Sequence, residues 1–242
     1  MPSETLRAIV LRHANYRDHD RMLTLFSPQQ GRVDALSRGC RRPKSPLLAA
    51  SEVFVQGEFV LFRSGERYTL SSCAIDDTYY PLRLEPYRLT CASYLLGLCQ
   101  AAVQPGEAAP GLFALLLTGL CHLAYQEREL PLSVTTAFLL LYADVIGYRP
   151  RLNHCAHCRA PVDSTQGGLL DVEAGGLVCP ACADKTAYRL TAAQVAWIRA
   201  VLARGLEEEE SLSTDVVDLF VILRRYVESR LEASIKVSGL LP

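Results

Sequence analysis

The amino-terminal part of the chain alternates between short β-type runs and turn chemistry. Apolar and half-polar runs fall at Leu6 to Leu11, Met22 to Phe26, Arg32 to Ser37, Val53 to Phe62 and Tyr68 to Ile75. Ser27-Pro28, Gly39 to Pro46 and Ser64-Gly65-Glu66 punctuate them. Five short strands in so short a span predict a small barrel, of OB type as first choice; an SH3-like barrel would show the same periodicity.

After Pro81 the period changes from two to that of a helix. Tyr87 to Val103, Pro110 to Gln126 and Leu132 to Ile146 are apolar and of helical length, and their short breaks suit packed antiparallel helices. Further on, Thr191 and Gln194 form a capping box, Leu190 and Val195 a hydrophobic staple, and Gly205 stands just past the expected end. A last helix is predicted from about Thr214 to Lys236, with Val216, Phe220, Leu223, Val227 and Leu231 on one face. The fold class expected is therefore α+β and multidomain. Residues 1–80 make a five-stranded OB-type barrel, 81–152 and 185–242 two parts of a helical bundle, and 153–184 an inserted zinc-ribbon-like module.

Composition narrows the class of protein. Hydrophobic residues at 50% and charged residues at 21% suit a chain that folds throughout, and disordered or collagen-like readings fail. The net charge of −1 gives no bulk attraction to a polyanion, but residues 1–70 carry a net +4 and the remainder −5. Glu4, Arg7 and Arg12 interrupt any apolar leader, so a cytoplasmic protein is expected. The uncharged stretch Ala108 to Gln126 holds Pro110, Gly111, Gly119 and His122 and reads as a buried helix, not a membrane span. The acidic run Glu207 to Glu210 reads as a solvated loop.

The sharpest chemical signal is Cys155-Ala-His-Cys158 followed, twenty residues later, by Cys179-Pro-Ala-Cys182. Each C-x2-C pair can give two thiolates to one ion from a tight turn, and the intervening glycine pairs suit a hairpin that joins the two halves. Four thiolates fill a tetrahedral shell, so one structural Zn2+ per chain is expected on Cys155, Cys158, Cys179 and Cys182. His154 or His157 replacing a thiolate, four unliganded thiols, and a redox pair are the weaker alternatives. Cys73, Cys91, Cys99 and Cys121 are expected as small core hydrophobes, with Cys40 the exception because it lies in a basic loop. His122, within an apolar helix, is expected as a satisfied core histidine.

That loop, Arg38-Gly-Cys-Arg-Arg-Pro-Lys-Ser-Pro46, is the second signal. It carries four cations in seven residues, and no acid lies between Asp34 and Glu52. Arg38, Arg41, Arg42 and Lys44 can follow a phosphate backbone, although a plain solvated loop shows the same composition. Arg7, Arg12, Arg17, Arg21 and Arg32 belong to the same β segment, and Tyr16, in a polar stretch beside Arg17, is the best candidate for stacking on a base. No phosphate-loop, dinucleotide, zincin or nucleophile-elbow motif occurs, so catalysis is not expected and no catalytic residue is assigned.

The series Ala8-Ile-Val-Leu11, Tyr16-Arg-Asp-His-Asp-Arg21, Thr24-Leu-Phe26, Gly31-Arg32 and Ser37-Arg-Gly-Cys-Arg-Arg-Pro-Lys-Ser45 resembles the amino-terminal domain of the bacterial recombination mediators of the RecO family. The layout of barrel, helices and inserted C-x2-C pairs resembles that family too; Cys40 stands where a small residue is common. The resemblance implies a non-enzymatic DNA-repair factor that binds single- and double-stranded DNA and anneals complementary strands. It also implies work with RecR and single-stranded DNA-binding protein to load the RecA recombinase, at the nucleoid in the cytoplasm and without a membrane. Arg38, Arg41, Arg42 and Lys44 match the family's basic loop. Two other classes share parts of the pattern: a zinc-bearing OB-fold RNA-binding or ribosome-associated module, and a protein-interaction scaffold.

Overall fold

In the computed structural model, residues 3–126, 130–206, 216–231, 235 and 239–240 are described. The chain divides into two compact units, Met1–Glu85 with Leu96–Leu117, and Pro86–Leu95 with Thr118–Pro242. In the first unit β1 (Ser3–Tyr16), β2 (Asp20–Ser27), β3 (Gly31–Ser37), β4 (Gln56–Ser64) and β5 (Arg67–Asp77) close into a barrel of order β1-β2-β3-β5-β4. The β3–β5 pair is parallel, with Ala35 opposite Tyr68, and the other pairs are antiparallel. This is the OB-type arrangement, so the two barrels that periodicity leaves open are separated by strand order. β1 outruns its apolar stretch because a bulge between Val10 and Arg12 lets the polar residues 12–16 stay paired with β2. β4 starts at Gln56, later than the apolar run from Val53 suggests, since a left-handed Phe54 (φ 74°) interrupts the extended backbone there.

Period-two residues fill the barrel: Leu6, Ala8 and Val10 from β1, Leu23 and Leu25 from β2, Val33 and Ala35 from β3, Phe59 and Leu61 from β4, and Leu70 from β5. Phe59 is fully buried; truncating such a side chain to alanine costs about 3–5 kcal/mol and is the change that would most directly break this unit. The β2–β3 turn is held by the segment after residue 102, where Arg32 N–H donates to Gln104 O (3.2 Å) and Gly106 N–H to Gln30 O (2.9 Å). Gly31 is required there: its φ is +63°, and a Cβ would stand 2.2 Å from Gln104 O.

The helices are α1 (Pro86–Ala102), α2 (Pro110–Tyr125), α3 (Pro131–Val145), α4 (Ala192–Arg204) and α5 (Val216–Leu231). Proline opens each of the first three, where the missing N–H breaks no helical bond. In the second unit α3 packs against both α4 and α5. It is buried on nearly every side, and the hydroxyls of Thr135 and Thr136 are satisfied by donating to Pro131 O and Leu132 O (2.7 and 2.6 Å). Tyr94 of α1 and Phe220 of α5 meet edge-on, ring centres 6.0 Å apart. The capping box of α4 forms as its sequence predicts: Gln194 N–H donates to Thr191 Oγ1 (3.2 Å) and Thr191 N–H to Gln194 Oε1 (2.9 Å).

Between α3 and α4 a small sheet of order β7-β6-β8 forms from β6 (Gly168–Asp171), β7 (Gly176–Val178) and β8 (Tyr188–Leu190). Arg199 of α4 ties the preceding strap down, donating to Asn153 Oδ1 (2.8 Å), Leu152 O (2.9 Å) and Ser164 Oγ (3.0 Å). No described helix is long and apolar enough to cross a membrane. The acidic run Glu207 to Glu210, and the ends expected for the last helix at Thr214 and Lys236, lie outside the described residues.

Two cysteine expectations need correction. Cys40 is fully buried, not exposed, because the basic loop turns back on the β1–β2 turn and lays the thiol 3.9 Å from His19 O. Cys121 is exposed, not core, because it falls on the outward side of α2. Cys91 and Cys99 are buried as small hydrophobes, and burial pushes both thiols up.

Candidate nucleic-acid interface and metal centre

The basic loop is a run of tight turns pinned at both ends by β2 and the turn before it. Gly39 N–H donates to Asp20 Oδ1 (2.7 Å), Arg41 N–H to His19 O (3.0 Å) and the Arg41 guanidinium to Asp18 O (3.2 Å). Arg42 N–H then donates to Gly39 O and Ser45 N–H to Arg42 O, both 3.1 Å, with Lys44 left-handed at φ 62°. At the far end the Arg21 guanidinium reaches Glu52 Oε1 (2.7 Å) and Ser51 O (3.1 Å). Proline and left-handed residues prevent regular structure, so backbone amides find carbonyls and a carboxylate of the neighbouring turn instead.

Beside this loop runs a groove of about 920 Å³. Tyr16, Arg17, Arg38 and Arg42 line it together with Arg67 and Tyr68 from the β4–β5 turn, and Met22 and Leu36 add apolar surface. Four of the six residues singled out by sequence are thus brought together. Arg41 and Lys44 are exposed and do not line the groove. Tyr16 is 41% exposed with the Arg17 guanidinium 5.2 Å from its ring centre, which leaves an aromatic surface beside a fixed cation. Phe54 and Phe59 are core residues, whereas Phe62 is 41% exposed.

The groove also holds three acids, Asp20, Asp34 and Glu66. Asp20 is engaged by the Gly39 amide, and Asp34 by Thr24 Oγ1 (2.9 Å) and Arg32 (3.3 Å). Arg21 and Arg32, which sequence places among the cations of this segment, are thereby paired with Glu52 and Asp34. Arg67 was not legible as part of the site. It lies two residues after Gly65, far from the basic loop in the sequence, and joins that loop only because β5 returns parallel to β3. The one signal for it was its position at a turn next to Tyr68.

In the insert the Sγ atoms of Cys155, Cys158, Cys179 and Cys182 all lie within 4.8 Å of one another, with Cys158 and Cys179 3.7 Å apart. The β6–β7 hairpin turns at Val172–Gly175 and delivers the second pair to the first. The Cys179 amide donates to Cys155 Sγ (3.4 Å) and holds that thiol down, to about 6. Cys182 is pushed the other way by its contacts with Cys179 and then Cys158. Four thiols this close cannot all ionise unless a cation neutralises them, and the cluster is of a kind that can hold a metal ion for that purpose. The neighbouring His157 is turned away from the thiols, its Nε2 2.9 Å from Asp171 Oδ2. Burial pushes the Asp171 carboxyl up, but the Ala174 amide and His157 outweigh it and hold it below the usual carboxylate range.

The fold defines an α+β protein with an OB-like barrel, an arginine-lined groove on that barrel and a four-cysteine cluster able to hold a metal ion. Comparison with known proteins gives the family. The model of the recombination protein O N terminal region matches residues 1–79, and that of the recombination protein O C terminal region matches residues 83–238. The chain belongs to the RecO family of DNA repair proteins. It is 30% identical over 230 residues to the DNA repair protein RecO of Acetivibrio thermocellus, covering 93% of this chain and 90% of that protein. The protein of the same name from Alkaliphilus metalliredigens is 30% identical over 228 residues, 92% of each chain. That from Pelotomaculum thermopropionicum is 35% identical over 175 residues, 72% of this chain and 66% of that one.

Proposed function

We propose that this chain is a non-enzymatic recombination mediator that binds single- and double-stranded DNA, anneals complementary strands and acts with RecR and single-stranded DNA-binding protein to load RecA. The observation that carries this reading is the groove on the barrel, in which Tyr16, Arg17, Arg38, Arg42 and Arg67 converge from three separate turns. Arginines there neutralise phosphates, Tyr16 offers a face to an unstacked base, and Arg41 and Lys44 extend the cationic surface beyond the groove. Annealing asks only that two polyanions be held close while their bases stay available, which phosphate neutralisation provides. In this reading residues 1–80 carry DNA binding, the protein works at the nucleoid in the cytoplasm, and no side chain performs bond chemistry.

The metal in the insert, residues 153–184, is Zn2+ in a structural role. Zn–S bonds of about 2.3 Å in a tetrahedron place sulfurs about 3.8 Å apart, and Cys158 and Cys179 already stand 3.7 Å apart. Zinc bound there holds the two halves of the insert together and leaves no open coordination position. The test of the main reading is a strand-annealing assay with binding measured at two salt concentrations on DNA and RNA of one sequence. Salt-sensitive DNA binding with accelerated annealing is the expected result. Preference for RNA at equal salt, or no shift of DNA at low salt, would replace it with the RNA-binding or scaffold reading.

A further inference from the structure

A carboxylate that lines a groove for a polyanion has the wrong sign for contact, and Asp20 is such a residue. Its geometry gives it another use. Asp20 opens β2, and its Oδ1 accepts the Gly39 amide at 2.7 Å, at the point where the chain leaves β3 to enter the basic loop. Gly39 is left-handed (φ +63°), and the Arg42 side chain lies over it, Cδ 3.6 Å from where a Cβ would be. The next residue of β2, Arg21, holds the other end of the loop through Ser51 O and Glu52. Two consecutive residues of one strand therefore clasp both ends of the segment that carries Arg38, Arg41, Arg42 and Lys44.

We propose that Asp20 is a positioning residue for DNA binding: through the Gly39 amide it fixes the start of the basic loop, so that Arg38 and Arg42 face the groove before any strand arrives. The proposal rests on the DNA-binding reading of the groove. Its physical basis is preorganisation, since a loop already ordered loses less freedom on binding, and a flexible one engages fewer phosphates at once. The loss of a negative charge and the loss of an anchor thus pull affinity in opposite directions, which makes the two roles separable by sign.

Three substitutions in the full chain decide it, with single-stranded DNA affinity measured across salt. Asp20→Asn keeps an acceptor oxygen and removes the charge, and is expected to bind at least as tightly as the parent with the same salt slope. Asp20→Ala removes charge and anchor together and is expected to bind about fivefold more weakly, with a flatter slope. Asp20→Glu keeps the charge but misplaces the oxygen by one methylene and is expected to weaken binding in the same direction, so the ordering stands even where the alanine variant folds poorly. In an Arg38→Ala, Arg41→Ala, Arg42→Ala background the weakening caused by Asp20→Ala should vanish, leaving at most the gain from the lost charge. If Asn and Ala both tighten binding equally while Glu matches the parent, Asp20 acts by charge alone and the positioning role is refuted. Unchanged binding in all three also refutes it. A parent protein that fails to bind DNA at all refutes the underlying reading instead.

Discussion

The basic loop and the four-cysteine insert are both short segments with little core of their own, yet they are held in opposite ways. The insert converges on one point: four sulfurs within 4.8 Å, reached by a three-stranded sheet too small to fold on its own account. The loop has no such centre. It is pinned at its ends by Asp20 and Arg21 and otherwise follows the β1–β2 turn through backbone hydrogen bonds. A segment organised around an ion is stable or absent as a unit, whereas a segment held by separate hydrogen bonds can lose a side chain that anchors nothing, such as an exposed arginine of the loop, and keep its shape. Stability and function should therefore divide between the two.

The largest effect expected on this comparison comes from the metal. Cys155→Ser, or zinc removal by a chelator, should unfold the insert and lower stability by more than about 3 kcal/mol, since structural zinc supplies folding free energy outright. Elemental analysis should find one zinc per chain in the parent and much less in the variant, and thermal melting should report the loss. Intrinsic DNA affinity of the folded fraction should change by less than about twofold, because no proposed phosphate contact belongs to the insert. A variant that melts like the parent yet has lost DNA binding would reverse the assignment of the two regions.

The triple change Arg38→Ala, Arg41→Ala, Arg42→Ala should do the converse. Three phosphates released at about −0.7 each remove a term of roughly −2 from the slope of log K against log salt. Annealing should slow, while circular dichroism and zinc content stay at parent values, because exposed cations contribute little to folding. Retention of both slope and annealing rate would make the loop a solvated surface only.

The two regions also differ in how far sequence reveals them. Metal ligands are defined by their mutual spacing, so the C-x2-C pairs disclosed the insert before any geometry was known. So did the Thr191–Gln194 box for α4, a local pattern closed within one turn. The loop was legible as a density of charge, but the groove was not, because Arg67 reaches it through a long-range parallel pairing that no local pattern encodes. Cys40 went astray for the same reason: hydrophilic neighbours suggested exposure, and a hydrogen bond to the preceding turn buried it. Arg21 counts in the sequence as one more cation of the β segment, and its pairing with Glu52, thirty-one residues away, is equally invisible there.

A smaller effect is expected from Tyr16→Ala. Base stacking on an aromatic ring contributes about 1–3 kcal/mol per base, so single-stranded DNA should bind roughly tenfold more weakly, with the salt slope unchanged because no charge is lost. Tyr16→Phe should restore parent affinity, since stacking needs the ring and not the hydroxyl. Equal losses on single strands and blunt duplex would show that Tyr16 supports the barrel instead of meeting a base.

The smallest effect is the one that best separates groove from charge density. Arg63 and Arg67 flank the same β4–β5 turn, both exposed, and both cost one positive charge when replaced by alanine. Only Arg67 lines the groove; the Arg63 guanidinium instead donates to Gly65 O (3.0 Å) and lies 5.8 Å from the Tyr68 ring centre. A site defined by overall cationic density would respond alike to either loss, through a long-range term that salt largely screens beyond about 8–10 Å. A site defined by the groove would lose one phosphate contact with Arg67, flattening the salt slope by about 0.7 and weakening binding several-fold, and almost nothing with Arg63. Fluorescence anisotropy on a short single strand at four or five salt concentrations resolves a slope change of that size. Equal slopes in the two variants would remove the β4–β5 turn from the site and leave the basic loop to bind DNA without a second wall.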